Sequence, residues 1–328
     1  MGTGAAGGPG PAAGRGAAGP GAAGSAPGVP GAAEAGATVA ERLALRLERL
    51  TPAERKVARA LLADYPVRGL EPVARLAATA GVSPPTVVRL VGKLAFGSYA
   101  DFQASLKSEV SARLSSPLAL HPGRSAAGRH ALDRAEHMLC EGIRASFARM
   151  PRSEFEQAVR LLTDQRRGVV LIGGRFSSML AEHLAAHLRI LRPGVRSVSS
   201  AGADRVSALL DVGPRDVLVA FDYRRYQHDT VRLAVTAKRQ GATLVAFTDP
   251  YLSPLAAHAD VVLTSSVLSP SPFDALTPAV ALVEALVTAV VDRLGDAPLA
   301  RMARYDALHH GTVEAAGAGV SAGPGEGT

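Results

Sequence analysis

The sequence predicts an all-α helix-turn-helix N-terminal domain followed by an α/β domain, a doubly wound five-stranded parallel sheet. Three observations carry this. From residue 40 to 114, apolar residues recur at helical spacing, and Gly81 breaks the pattern just before a Ser-Pro helix start. From 169 to 264, short β-branched apolar runs alternate with helical stretches, as in buried parallel strands joined by right-handed crossovers. Between the two lies a stretch rich in Pro, Gly, Ser and Ala, which reads as a linker.

Composition sets the outer bounds. The 328 residues suffice for two domains plus tails. Residues 1–38 and 306–328 are dominated by Ala, Gly and Pro or end in such sequence. They cannot bury enough apolar area to offset their ordering entropy, so they read as disordered tails. The predicted order is therefore tail 1–38, first domain 39–115, linker 116–130, second domain 131–305 and tail 306–328. A net charge of +7 permits an anionic partner. The single cysteine, Cys140, excludes an internal disulfide and a thiolate zinc cluster. The nine His residues are scattered along the chain, so neither a metal nor a cofactor is assigned. No basic segment leads into an apolar core at the start. The longest apolar run, 278–291, is interrupted by Glu284. A soluble cytoplasmic protein without membrane contact is the expectation.

In the first domain, Leu43, Leu47 and Leu50 open a helical pattern. Thr51 to Glu54 form a capping box with Pro52 at the first helical position, and Val57, Leu61 and Leu62 give its apolar stripe. A helix over 73–80 turns inward with Leu76 and Ala77. Gly81 then provides a turn, and Ser83 caps a new helix carrying Val87, Leu90, Val91 and Leu94. A second helix so placed enters the DNA major groove in helix-turn-helix proteins. Its polar spacing picks out Ser83, Pro85, Thr86, Arg89 and Lys93 as DNA-binding candidates. Phe96, Tyr99 and Phe102 follow, and read as core beneath that helix rather than a base-stacking surface.

Residues 82–102 resemble the end of the N-terminal domain of RpiR-family transcriptional regulators. That family has Ser-x-x-Thr-Val-x-Arg ahead of Gly-Phe-x-Gly-Tyr-x-x-Phe. This chain supplies Ser83, Thr86, Val87, Arg89, Leu94, Phe96, Tyr99 and Phe102, with Ala95 and Ser98 where glycine is usual.

The second domain opens with a helix bearing Leu132, Ala135, Leu139 and Ile143, then a capping box at Ser153–Glu156 and a helix to about 164. Strands are expected at 169–172, 195–198, 217–221, 243–248 and 261–264. Helices are expected at 177–190, 206–210, 230–239 and 278–294, the last apolar enough to be covered on most sides. This half resembles the sugar isomerase (SIS) domain of RpiR-family proteins, most clearly from Asp216, at Gly241–Thr243 and from Ser253 to Leu263.

In open α/β sheets ligands bind at the carboxyl ends of the strands. Two loops hold a sugar phosphate in the resembled domain. The first, Gly-x-Gly-x-Ser, is here Gly173, Gly174, Arg175, Phe176, Ser177 and Ser178, with Arg175 in place of the second glycine. A helix N-terminus of this kind favours anions. The second, Ser-x-Ser-Gly-x-Thr, aligned by Gly241, falls on Asp222, Tyr223, Arg224, Arg225, Tyr226 and Gln227, and its three hydroxyls are gone. Arg224 and Arg225 can take their place, because guanidinium binds phosphate or carboxylate bidentately. Asp222, Gln227 and Ser271 complete the expected effector-binding set, and no catalytic residue is assigned. The resemblance thus implies a regulator of double-stranded operator DNA that senses a small anionic metabolite, a phosphosugar or related carbohydrate derivative, and works as a homodimer or dimer of dimers. Two other readings stand beside it. One is a regulator whose SIS-like domain only dimerises. The other is a sugar-phosphate isomerase using His183, His187 or Glu182.

Overall fold

The computed structural model describes residue 1 and residues 36–114, 130–198 and 204–320, with side chains to 310. The expected linker and most of the N-terminal tail lie outside the described residues.

Among the described residues the N-terminal domain has six α-helices: α1 (Val39–Arg46), α2 (Pro52–Ala63), α3 (Val67–Leu70), α4 (Val73–Ala80), α5 (Pro84–Lys93) and α6 (Tyr99–Leu114). Its core joins Leu43, Val57, Leu61, Leu76, Val87, Leu90 and Leu94 to Phe102 and Leu106. Each of these is essentially inaccessible to water, worth roughly 1.5–3 kcal/mol per large side chain. The predicted capping box at Thr51 and Glu54 forms. An equivalent box at Thr38 and Glu41 starts α1, so the packed structure begins inside the predicted tail. Leu47 departs from the expected stripe: α1 ends at Arg46, a 3-10 turn follows, and Leu47 is exposed. Gly81 ends α4 in the left-handed conformation (φ 63°) that favours glycine. Phe96 and Tyr99 flank the Phe102 ring at 5.6 and 5.4 Å, as core aromatics.

Within this domain Glu109 is buried. It accepts from the Val39 backbone N–H at 2.8 Å and from the Tyr65 hydroxyl. Burial raises its pKa to about 7, despite those donors. A carboxyl raised on folding contributes stability that is complete below its unfolded value near 4.5 and is lost as pH rises through 7. Urea melts should therefore show a Glu109 contribution to stability that falls by about 2–3 kcal/mol between pH 5 and 8. Glu109→Gln should flatten that slope, and an unchanged slope would show that Glu109 does not set it.

The second domain begins with α7 (Ala131–Arg149) and α8 (Arg152–Thr163). It continues β1 (Gly168–Gly173), α9 (Ser178–Leu191), β2 (Val195–Ser197), α10 (Asp204–Ser207), β3 (Asp216–Phe221), α11 (His228–Arg239), β4 (Thr243–Thr248), β5 (Val261–Thr264), α12 (Thr277–Leu294) and α13 (Leu299–Val320). All five strands are parallel, in the order β2-β1-β3-β4-β5. The order reverses between β1 and β3, and in open α/β sheets such a reversal opens a crevice at the carboxyl ends of the strands. Val169, Leu171, Val217 and Val219 face α8, α9 and α12 in one core, while Val170, Ile172, Leu218 and Ala220 face α11 in another.

Three expectations change here. The capping box at Ser153 does not form, because α8 already begins at Arg152; Glu154 instead accepts from the Val262 N–H of β5 at 2.9 Å. The stripe on α7 is only partly covered, with Leu132 exposed. The helix α13 runs through residues 306–320, which composition assigns to a tail. The Ala, Leu, Met and Arg residues of its first half are strong helix formers.

Candidate functional site

The head of the sheet is built from four loops, each leaving a strand end. After β1, the chain turns so tightly that a Cβ on Gly173 would lie 2.5 Å from the Ser178 backbone. The Ser177 hydroxyl accepts from the Gly174 N–H at 2.9 Å and donates to the Phe221 carbonyl at 2.7 Å. It is buried, ties β1 to β3, and makes no capping bond to α9. Ser177 thus shapes the site but has no hydroxyl proton left for a ligand. Ser178 is half-buried at the start of α9, Arg175 is exposed, and its guanidinium lies 5.3 Å from the Phe176 ring.

After β3, the residues Asp222 to Gln227 fold inward rather than presenting a row of cations. Asp222 is buried; it accepts from the Gln227 N–H at 3.1 Å and from the Ser253 hydroxyl. Burial raises its carboxyl to about 6. Expected in the effector-binding set, its carboxylate here closes its own loop. Gln227 approaches Gly174 closely, so the first two loops meet at that point. Arg225 is exposed and has no hydrogen bond or ion pair among the described residues.

Arg224 is the main correction. Its guanidinium pairs with Asp274 and donates to the Ala112 carbonyl, at the end of α6 in the N-terminal domain, at 2.8 Å. Only 7% of its side chain is exposed. Burial works against its charge, but the Asp274 pairing outweighs this and holds its pKa up. Arg224 is therefore spent on a seam between domains and is not available to a phosphate in this conformation.

The residue that organises this seam lay unnoticed in the sequence. Asp249, wholly buried after β4, accepts from the Arg224 N–H at 2.7 Å, the Tyr226 hydroxyl at 2.8 Å and the Tyr251 N–H at 2.9 Å. Burial lifts its carboxyl above the usual range even so. The Arg113 guanidinium, one residue past Ala112, sits 4.8 Å from the Tyr226 ring centroid. Thr38, at the start of α1, donates to the Pro250 carbonyl at 2.9 Å. The loops after β3 and β4 thus grip both ends of the N-terminal domain's chain.

A second unanticipated residue is Arg205 of α10. It is buried and donates to the Gly173 carbonyl and the Thr230 hydroxyl, each at 3.2 Å. It brings a cation to the first loop, behind the start of α11. Ser271 is exposed, bonds within its own turn to Ser269 and Phe273, and does not cap α12, which starts at Thr277.

In the N-terminal domain, the exposed face of α5 holds Ser83, Pro85, Val88 (51% exposed), Arg89, Gly92 and Lys93. Thr86 is not on that face. It is 5% exposed, because the buried stripe is wide enough to include it beside Val87, Leu90 and Val91. Its hydroxyl contacts Ser83 at 3.1 Å and accepts from Arg89 at 3.2 Å, so it positions candidate DNA contacts. The Ser83 side chain makes no capping bond to α5. Lys93 is held by the buried Glu54 at 2.8 Å. Between 37 and 113 twelve Lys or Arg residues face seven Asp or Glu, so most of the chain's positive excess is in this domain.

Comparison with known proteins gives two family matches: a helix-turn-helix domain of the rpiR family over residues 37–113 and a SIS domain over residues 161–289. Curated relatives named Bifunctional protein glk, from Burkholderia mallei and Paraburkholderia xenovorans, are 28% identical over 235 and 243 residues, 70% of this chain. The chain spans about a third, 35%, of the length of those relatives. Among solved structures, the sugar isomerase domain of an RpiR transcription factor from Sphaerobacter thermophilus matches with a TM-score of 0.51 and 23% identity. It covers 53% of this chain and 97% of that one, a likeness of fold. The Vibrio vulnificus NanR protein complexed with ManNAc-6P has a TM-score of 0.47 and 18% identity, covering 81% of this chain and 97% of that one.

Proposed function

Because the chain belongs to the RpiR family, joining the rpiR-type helix-turn-helix domain to a SIS domain, we propose that it is a cytoplasmic, dimeric transcriptional regulator. Its N-terminal domain binds operator DNA, and its SIS domain senses a small anionic metabolite, a phosphosugar or related carbohydrate derivative. One observation carries the coupling. The loop after β3 meets the ligand crevice through Gln227 at Gly174 and the end of α6 through Arg224 and Tyr226. A ligand that rearranges this loop has different affinity for the two positions of the DNA-binding head, which is what allostery requires. The anion would be met by the N–H groups at the start of α9, by Arg205 and by the exposed Arg175 and Arg225.

Dimerisation follows from the need to place two heads on half-sites about 34 Å apart, or multiples of that. Exposed Phe176, Met179, Leu132 and Phe273 offer apolar surface for it. No helix among the described residues is long and apolar enough to cross a membrane. We read the site as binding rather than catalytic, since the residues named for catalysis are engaged by their neighbours, His183 by Glu284 of α12 and Glu182 by the Ser197 hydroxyl of β2.

The test is selection of bound fragments from random duplex DNA by the full chain, with and without a panel of sugar phosphates. A preferred site whose affinity shifts with one panel member supports the proposal. No preferred site at moderate salt, or turnover of a sugar phosphate, would overturn it. On the selected site, Arg89→Ala should weaken binding about 10–100-fold, equivalent to about 1–3 kcal/mol, and relax the preference at one base pair. Lys93→Ala should cost less, because its ammonium is already engaged by Glu54. Equal losses across all sequences for Arg89→Ala would make that residue a phosphate contact instead.

A further inference from the structure

Away from the crevice, α9 and α12 bring three metal-ligating side chains together. His183 and His187 are one turn apart on α9, and Glu284 faces them from α12, 101 residues from His183 in the chain. Their ligand atoms all lie within 4.8 Å of one another. His183 Nε2 is 2.5 Å from Glu284 Oε1, and the two imidazoles meet edge to face with centroids 4.8 Å apart. Sequence spacing alone assigned no metal, because the third ligand arrives only through the packing of α12 on α9.

We propose that His183, His187 and Glu284 form a binding site for a divalent first-row transition ion, Zn(II) being the best match. Two imidazoles and one carboxylate are the borderline donor set that zinc, nickel, cobalt and copper take, whereas magnesium and calcium need more oxygen ligands. Tetrahedral ligation with bonds near 2.0–2.2 Å separates ligand atoms by about 3.4 Å. The His183–Glu284 contact must then open by about 1 Å and the wider pairs must close, movements available to these partly exposed side chains. Three protein ligands leave a fourth position facing solvent, for water or an exogenous donor. A bound ion would tie α12 to α9, the helix that starts at the ligand loop with Ser178.

The experiment uses the full chain after chelator treatment, titrated with Co(II) and then challenged with Zn(II). The expected result is one equivalent of Co(II) with the intense visible absorption of four- or five-coordinate cobalt, bleached by Zn(II). His187→Gln should weaken Co(II) binding at least tenfold. Glu284→Gln should weaken it also, while retaining the apo protein's melting temperature. A variant with both His309→Gln and His310→Gln should bind as the parent does. The proposal fails if Co(II) gives only the weak spectrum of the six-coordinate ion. It also fails if His187→Gln binds as tightly as the parent, or if the spectrum disappears with the His309 and His310 changes.

Discussion

Arg224→Ala is expected to destabilise the protein by about 3 kcal/mol and to loosen the DNA-binding head even without ligand. The estimate follows from what the substitution leaves behind. Arg224 and Asp274 have side chains 7% and 14% exposed, and removing one partner of so buried a pair strands the other charge, at about 3–5 kcal/mol. Some relief comes from water entering at the Ala112 carbonyl, which sets the figure at the lower end. Arg225→Ala, at an exposed position one residue on, should leave stability unchanged. The check is a double-mutant cycle by urea denaturation. Asp274→Ala combined with Arg224→Ala should be less destabilised than the sum of the singles by at least about 1 kcal/mol. Additive losses would mean that the ion pair does not hold the seam. Limited proteolysis of the chain should also accelerate in Arg224→Ala, since the hydrogen bond to the end of α6 is gone.

The same pair shows where sequence reasoning stops. The strands were legible nearly to the residue, because β-branched apolar runs of four to six between glycines and charged turns admit few alternatives. Counting back from Gly241 placed Asp222 to Gln227 at the end of β3, where they are. What could not be read was direction. An arginine at a strand end is equally suited to a ligand or to an aspartate, and Asp274 lies 50 residues further on while Ala112 lies 112 residues back. Asp249 gave no signal either, since an aspartate in a loop is ordinary until three donors converge on it. Thr86 failed differently: helical spacing assigns it to a polar face, but the spacing does not fix how wide the buried stripe is. The one-turn helix α3 was invisible for want of any period to detect.

Gly173→Ala is expected to abolish the ligand response and to cost about 3 kcal/mol, while leaving the isolated chemistry of the DNA head unchanged. An added Cβ would sit 2.5 Å from the Cα and N of Ser178 and 2.7 Å from the Ser177 carbonyl carbon. These are backbone atoms, so no side-chain rotation can relieve the overlap, and the start of α9 must move. That movement pulls apart the Ser178 N–H to Gly174 carbonyl bond at 2.9 Å, the Gly174 N–H to Phe221 carbonyl bond at 3.1 Å and the Ser177 bridge. The start of α9 would then shift relative to β1 and β3, and a preorganised anion site at a helix N-terminus depends on that position. Overpacking of this kind costs about 1–3 kcal/mol where neighbours can yield, and here they are held by a sheet on one side and a helix on the other. Gly92→Ala is the matching control: nothing lies within 4 Å of the added carbon in the last turn of α5, so stability should be unchanged or slightly raised. Thermal unfolding with and without the ligand found by panel screening separates the two effects. If Gly173→Ala keeps the ligand-induced shift, the metabolite does not bind at the β1 loop, and the exposed Arg225 side of the crevice becomes the place to look.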